Sequence, residues 1–398
     1  MEPSFSMHEA REDQSGPVAA VAATPLRIGF HLPVFDPQRG GAEVYLDRVA
    51  PLLVRLGHEV HVFCQQHSVS PPGVQIHSAN GDARQAARAM RAAGMDVCIG
   101  GEGAVDMDIV LPHSGTIEGQ QRQKALMSRS AVAEWLRLTA MKCGYRRGKR
   151  RHFRRLAGAG ANGPVLIAVS NLVKNELQRY YDVPDERIAV IHNGVDTEEF
   201  SPERCSDLRA DARRALGVPE GALCIVLVAQ NFRRKGVREA IEAVSDLARE
   251  VPQVMLLVAG SDGVSRYQSL ARALKCEANV RFVGHAKPAL RVYAAADISV
   301  QPSWYDPCSL AVLEALACGL PTIATRFDGS SELLRHGENG LVLASPDDRA
   351  TFVKYLRQLA DPAERARLGA AGREVALQNC LMRHVERLQQ VCMRAAHK

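Results

Sequence analysis

Tyr305-Asp-Pro-Cys-Ser-Leu-Ala-Val-Leu-Glu-Ala-Leu-Ala-Cys-Gly-Leu-Pro321 sets two acids, Asp306 and Glu314, eight residues apart along an apolar helical run that ends in a Gly-Leu-Pro stop. Thr322 to Thr325 then reads as a buried strand. Asp306 is expected to open the helix, with Pro307 in the first turn, where a missing N–H costs nothing. The amides of Cys308, Ser309 and Leu310 would then be free helix-end donors suited to a phosphate. At the rise of a helix the two carboxylates would stand roughly 12 Å apart. That spacing fits a ligand with a hydroxyl-rich group at each end and phosphates between, such as a nucleotide-sugar.

Outward from this stretch, strand-like and helix-like segments alternate. The first half offers strands at Leu26–Leu32, Glu59–Phe63, Asp96–Ile99, Ile109–Leu111, Val165–Val169 and Ile188–Ile191. A helix over Ala42–Leu56 carries Val44, Leu46, Val49, Leu53 and Leu56 on one stripe. The pattern pauses at Ser201-Pro-Glu-Arg204 and restarts with strands at Cys224–Val228, Val254–Val258, Val280–Val283, Ile298–Val300, Thr322–Ala324 and Gly340–Leu343. Helices are expected at Val237–Arg249 and Ser265–Lys275, and successive helices from Asp347 to Ala396. Alternation of this kind implies parallel, doubly wound sheets that bind ligands at the carboxyl ends of their strands. The expected organisation is a disordered tail over 1–24, a Rossmann-like domain over 25–200, a second over 201–378, and a C-terminal helix over 379–398 that crosses back to the first. The fold class is α/β, two such domains facing across a cleft.

Composition narrows the function classes. The chain has 398 residues and 46% apolar content, and no apolar run long enough to span a bilayer. Its ten cysteines include no C-x-x-C pair, which favours reduced thiols over a disulfide framework. The net charge of +6 is unevenly spread: Gln121–Leu156 holds twelve Lys and Arg against one acid, Glu134. Arg146, Arg147, Lys149, Arg150 and Arg151 form its centre, behind an apolar stripe that includes Trp135 and Leu138. Such a segment reads as a membrane-surface or anionic-acceptor element, as a solvated charged helix, or as a nucleic-acid contact. Stacking aromatics are too few to favour the last.

Several strand ends carry candidate ligand groups. Gly40-Gly41 opens the first helix, where backbone can approach an anion closely, although no G-x-G-x-x-G is present. Arg233-Arg-Lys235 stands before a helix N-terminus, where cations oppose the macrodipole unless an anion joins them. Gly260 and Gly284 follow strands facing the expected cleft, and His113 follows Ile109–Leu111 as either a structural or a site histidine. His192-Asn-Gly-Val-Asp196 and Gly329-Ser-Ser-Glu332 are explained equally well or better as turns. Asp106-Met-Asp108 spells a metal-binding D-x-D but lies at the wrong end of its strand, and no metal is expected.

In order along the chain, R-G-G-A-E-V-Y-L, A-V-S-N-L-V-K-N-E-L, I-H-N-G-V-D-T-E-E-F-S-P, N-F-R-R-K-G-V, V-A-G-S-D-G, R-F-V-G-H, the Tyr305–Pro321 run and H-G-E-N-G-L-V carry a family likeness. The chain resembles the retaining GT-B glycosyltransferases of family 4 over nearly its whole length, and within them the lipopolysaccharide core glucosyltransferases. The resemblance implies a GT-B fold and metal-independent hexose transfer from a nucleoside-diphosphate sugar, UDP-glucose favoured, with retention of configuration. It needs no cofactor beyond that co-substrate. It implies an anionic lipid-linked acceptor, no nucleic-acid partner, and a peripheral place at the cytoplasmic face of the inner membrane. Carried over by position, Glu314 holds the ribose hydroxyls, Asp306 touches the donor sugar, and Lys235 with Arg233 or Arg234 meets the diphosphate. Gly41 lies over the phosphates, Gly284 lies near the base, and His113 sits by the transferred sugar. Two positions depart from the family pattern: Asp306 replaces a glutamate, and Gln230 stands where the family's phosphate-binding arginine falls. A soluble small-molecule transferase and a non-catalytic nucleotide-sugar-binding protein of the same fold are the alternative readings.

Overall fold

The computed structural model describes residues 24–37, 41–79, 82–101, 106–127, 163–285 and 287–397. The expected tail over 1–24 and most of the basic segment over 121–156 therefore lie outside the described residues, including all five of Arg146, Arg147, Lys149, Arg150 and Arg151.

The first domain runs β1 (Arg27–His31), α1 (Gly41–Arg55), β2 (Glu59–Cys64), β3 (Val74–Ser78), α2 (Ala83–Ala92), β4 (Val97–Gly100), β5 (Ile109–Val110), α3 (Ile117–Leu126), β6 (Val165–Ala168), α4 (Asn171–Tyr181) and β7 (Ile188–Val190). Its seven strands pair in the order β3-β2-β1-β4-β5-β6-β7, all parallel. The second begins with α5 (Pro202–Ala215), β8 (Leu223–Val228), α6 (Val237–Leu247), β9 (Val254–Ala259), α7 (Val264–Ala273) and β10 (Val280–Gly284). It continues with α8 (Leu290–Ala295), β11 (Ile298–Gln301), α9 (Leu310–Ala317), β12 (Thr322–Thr325) and β13 (Leu341–Leu343). These six strands pair as β10-β9-β8-β11-β12-β13, again all parallel. In both sheets the order reverses beside the first strand, and that crevice is where such sheets take ligands.

The strand sequences explain the sheets. β9 is Val-Met-Leu-Leu-Val-Ala and buried at every position, as a central parallel strand covered on both faces must be. α6 buries Val237, Ala240, Ile241, Val244 and Leu247 against it. Helix starts follow local chemistry: Ser170 caps α4 by accepting from Val173 N at 3.3 Å, and Asp82 caps α2.

Three helices, α10 (Arg349–Gln358), α11 (Pro362–Gln378) and α12 (Leu381–Ala396), close the chain. α12 leaves the second domain where Leu381 N donates to Val195 O at 2.8 Å. It buries Val385, Leu388, Val391 and Cys392 in the apolar cluster that holds Ile28, Val49, Val60 and Ile99 of the first domain.

Two readings are corrected. The pause at Ser201–Arg204 is the start of α5: Ser201 accepts from Arg204 N at 3.3 Å and Pro202 takes the first turn, so a Ser-Pro that looks like a break is a helix start. Asp306 does not open a helix. It sits in extended backbone bridged to Asp328, and α9 begins at Leu310 after Ser309. The estimate of 12 Å along a common helix axis therefore does not describe the two acids. Two further elements are absent from the sequence reading: β3, which forms the edge of the first sheet, and α2, which packs on β1 and β4.

Candidate functional site

The loop after β8 is shaped by close backbone approach. A Cβ on Gly236 would lie 2.0 Å from Pro302 O, and one on Gly260 would lie 1.8 Å from Ala229 O. Both glycines have positive φ, 70° and 142°. The turn delivers Lys235, which is 9% exposed, to the N-terminal side of α9. Its Nζ lies 2.5 Å from Asp306 Oδ2 and donates to Ser309 Oγ at 3.1 Å.

The other two cations of the cluster are not gathered there. Arg234 buries Nε without a hydrogen-bond partner among the described residues, and its carbonyl accepts from Trp304 N at 2.8 Å. Arg233 instead lines a groove of about 490 Å³ with Arg266, Tyr267, Trp304 and Met127 of the first domain.

Two of the three amides expected to be free are engaged. Cys308 N donates to Asp306 Oδ1 at 3.1 Å, and Ser309 N donates to Asp328 Oδ1 at 3.2 Å. Short acid side chains beside a helix start satisfy its orphan donors just as an N-cap does. Cys308 itself is buried, and its carbonyl accepts from Asn193 Nδ2 of the interdomain segment at 2.8 Å. Leu310 is the first residue of α9.

Glu314 lies one turn further along α9. Tyr293 donates to its Oε2 at 2.8 Å, and Arg48 of α1 comes to 3.9 Å from the other side of the cleft. Burial pushes the Glu314 carboxyl up, opposed by Arg48 and the Tyr293 hydroxyl. Gly41, the first residue of α1, would present a Cβ to open space, and so would Gly284. Gly284 O accepts from Gly260 N at 2.8 Å, which joins the ends of β9 and β10.

His113 packs its ring on Tyr45 of α1, centroids 4.5 Å apart. Burial pulls its pKa down to about 4, with His384 adding to the shift, so the imidazole is neutral. The Tyr45 hydroxyl lies 2.8 Å from His384 Nε2 of α12, and His384 Nδ1 lies 2.7 Å from His192 O. A carbonyl only accepts, so His384 donates from Nδ1 and its Nε2 accepts the hydrogen bond of the Tyr45 hydroxyl.

Further contacts bind the two domains around Asp306. Tyr305 donates to Glu176 Oε2 at 2.8 Å and accepts from Thr116 N at 3.2 Å. Glu332 accepts from Asn171 N at 2.8 Å and Leu172 N at 2.6 Å, with His192 Nε2 at 3.0 Å. Asp106 and Asp108 are instead paired with Arg84 and Arg91, at 3.2 and 3.0 Å.

The structure thus gathers Lys235, Asp306, Ser309 and Cys308, sets Glu314 facing Arg48, and leaves Arg233 aside. Arg48, Tyr45, Tyr293, Asp328 and His384 were not singled out from sequence. Asp328 stands just before Gly329-Ser-Ser-Glu332, which reads as a turn; for the others the partner lies too far along the chain to leave a local signal.

Two parallel sheets of this order, meeting at a cleft between strand ends, define the GT-B architecture. Residues 209–375 match the family model Glycosyl transferases group 1, and residues 136–199 match Glycosyltransferase Family 4. The D-inositol 3-phosphate glycosyltransferase of Corynebacterium urealyticum is 32% identical over 216 residues, 51% of this chain and 50% of that protein. The lipopolysaccharide glucosyltransferase WaaG of Escherichia coli is 27% identical over 184 residues, 46% of this chain and 49% of its own. A crystal structure of WaaG, a glycosyltransferase involved in lipopolysaccharide biosynthesis, superposes with a TM-score of 0.74 at 20% identity, covering 92% of this chain and 99% of the other. Anabaena HepE, solved in complex with UDP and glucose, superposes with a TM-score of 0.65 at 19% identity, covering 92% and 98%. The chain spans about half the length of the curated relatives it matches. The chain thus has the GT-B fold, carries regions that match the group 1 and family 4 glycosyltransferases, and is similar to the lipopolysaccharide glucosyltransferase WaaG over about half its length.

Proposed function

We propose that the chain transfers a hexose from a nucleoside-diphosphate sugar, UDP-glucose favoured, to an anionic membrane-associated glycan such as lipopolysaccharide core, with retention and without a metal. One observation carries the reading. A buried ammonium, Lys235, is held against an acid and a hydroxyl at the start of α9, while Glu314 of the same helix faces Arg48 across the cleft. In this reading Lys235 takes the charge that grows on the diphosphate as the glycosidic bond loosens. A charge preset in a dry cleft does this without reorganisation. Glu314 accepts from the ribose hydroxyls, and Asp306 releases Lys235 to the phosphate and turns to the sugar. Neutral His113, backed by Tyr45, donates to or accepts from the transferred sugar. The acceptor hydroxyl attacks from the leaving-group face, with the departing phosphate as base.

A second reading has its own support: the inositol-phosphate relative favours a soluble phosphorylated polyol as acceptor. Calorimetry with UDP-, ADP- and GDP-glucose in the presence of a chelator tests the donor site. Wild type binds one of them, and Glu314→Ala loses that binding; equal binding by both proteins removes Glu314 from the site. NMR of the product's anomeric proton decides retention. Neutralising Arg146, Arg147, Lys149, Arg150 and Arg151 abolishes binding to anionic vesicles if the acceptor is membrane-borne and leaves it unchanged if the acceptor is soluble.

A further inference from the structure

Asp328 is a third carboxyl beside the donor site, after Asp306 and Glu314, and has no role in the reading above. It is wholly buried, in the turn between β12 and the Gly329–Leu333 helical turn. Its backbone is the bridge partner of Asp306: Gly329 N donates to Asp306 O at 2.8 Å and Asp306 N donates to Phe327 O at 2.9 Å. The bridge admits no slack, since a Cβ on Gly329 would lie 1.9 Å from Pro307 O. Oδ1 accepts from Ser309 N at 3.2 Å and Ser330 N at 3.0 Å, while Oδ2 is buried with no hydrogen-bond partner among the described residues.

An ionised carboxylate with one bare, buried oxygen is costly, and more so beside another carboxylate. The charged groups facing it are few. Asp306 opposes its ionisation, and Lys235 favours it but is already in contact with Asp306. On the same turn Glu332 is turned to the α4 N-terminus and His192, and Arg326 lies over the Phe327 ring. Ser170 at the start of α4 lies against the neighbouring Gly329, and on the α9 side Cys308 is an uncharged thiol.

We propose that Asp328 is the proton-carrying residue of the donor site: a nucleoside diphosphate enters with Asp328 in its neutral acid form, and binding above neutral pH draws one proton from solvent onto Oδ2. This rests on the reading that Lys235 and Asp306 hold the donor. A diphosphate at Lys235 brings negative charge to a place where two carboxyls already share one ammonium. Protonating Asp328 removes one of those charges, fills the bare oxygen with a hydrogen, and leaves Oδ1 free to keep both backbone donors. Burial and the Asp306 charge already push this carboxyl up to about 7 in the free protein. The balance is simple: ionised protein, one proton and donor give the neutral-acid complex, with no bond made or broken besides O–H. Asp328 is a positioning residue on this account, acting through charge and through the start of α9.

The test is titration calorimetry with UDP, UDP-glucose and ADP-glucose between pH 6 and 8.5, in two buffers of different ionisation enthalpy. Wild type takes up close to no proton at pH 6 and approaches one at pH 8.5. Its affinity falls toward tenfold per pH unit above 7. Asp328→Asn, which keeps size, Oδ1 and a donor in place of the acid proton, binds with pH-independent affinity and no proton uptake. Asp328→Ala, with folding checked by its melting curve, also loses the pH dependence but binds more weakly, having lost the cap on Ser309 N. Wild-type binding that is flat with pH, or an Asn variant with the wild-type slope, overturns the proposal. Absence of binding by all three proteins at every pH refutes the donor site itself.

Discussion

Lys235→Met removes one charge and its hydrogen bond to Ser309 Oγ, while the stem length and apolar contacts stay. The ammonium it deletes is the cation in contact with Asp306, at 2.5 Å, in a position about one-tenth exposed. A single preorganised group aimed at developing charge is typically worth ~10²–10³ in turnover, roughly 3–4 kcal/mol. Stability responds differently. Stranding a buried carboxylate costs about 3–5 kcal/mol when the charge cannot escape. Here the penalty is confined to Asp306, because losing the opposing ammonium pushes the Asp328 carboxyl further up and keeps that neighbour neutral. The sign follows from proton counting. Between the unfolded carboxyl range near 4 and the folded value, the native protein binds more protons, so its stability falls as pH rises through that window. The variant should unfold at a lower urea midpoint than wild type at pH 6, where Asp306 alone is stranded, and by a wider margin at pH 8, where wild-type Asp328 is also ionised. Steady-state kinetics with the donor identified by calorimetry should show kcat/KM down at least 100-fold at both pH values. A loss under tenfold, with folding intact, would refute the placement of Lys235 at the diphosphate.

Two further perturbations follow from the same geometry. Gly260→Ala sets a methyl 1.8 Å from Ala229 O at a φ of 142°, so it should cost at least about 2 kcal/mol in denaturant unfolding and weaken donor binding through the displaced loop. A neutral result would show that this loop moves freely. His113 and His384 are both held near 4 by burial, below the ordinary 6.5. The unfolded chain binds more protons between those values, so stability is full above 6.5 and falls as pH drops toward 4. Urea midpoints at pH 7 and 5 measure this, and replacing His384 by Gln should flatten the fall.

What sequence made legible, and what it hid, divides by range of interaction. β8 and β9 are unbroken apolar runs, so burial on both faces writes them directly into composition. α2, Ala-Arg-Gln-Ala-Ala-Arg-Ala-Met-Arg-Ala, buries only Ala86, Ala87 and Met90, a stripe too small to stand out among arginines. β3, Val-Gln-Ile-His-Ser, is an edge strand that alternates but offers only two apolar residues, Val74 and Ile76, too short a run to stand out. Within the site, the Tyr305–Pro321 motif and Lys235 were readable because each is a local run. Arg48 against Glu314 and Tyr45 against His384 were not, since the partners are hundreds of residues apart and only the fold brings them together. The misread helix start has the same root. Asp306 looked like a cap in sequence, but its backbone is engaged by the Phe327–Gly329 turn, a pairing that one-dimensional spacing does not reveal.

That pairing explains why so many constraints converge on one stretch. Tyr305 is tied to Glu176 and Thr116 of the first domain, its neighbour Asp306 to Lys235, and the facing turn through Glu332 to Asn171, Leu172 and His192. The residues proposed to hold the donor are therefore the chain neighbours of those that join the domains. A ligand that pulls Lys235 off Asp306 acts on a backbone ladder whose two ends are already fastened across the cleft. Further closure must then be carried by the looser contact, Arg48 to Glu314 at 3.9 Å, which has room to shorten. With the ribose at Glu314, as proposed, the ribose on one side and Arg48 on the other address the same carboxylate, and the donor's arrival and the approach of α1 are then coupled through it.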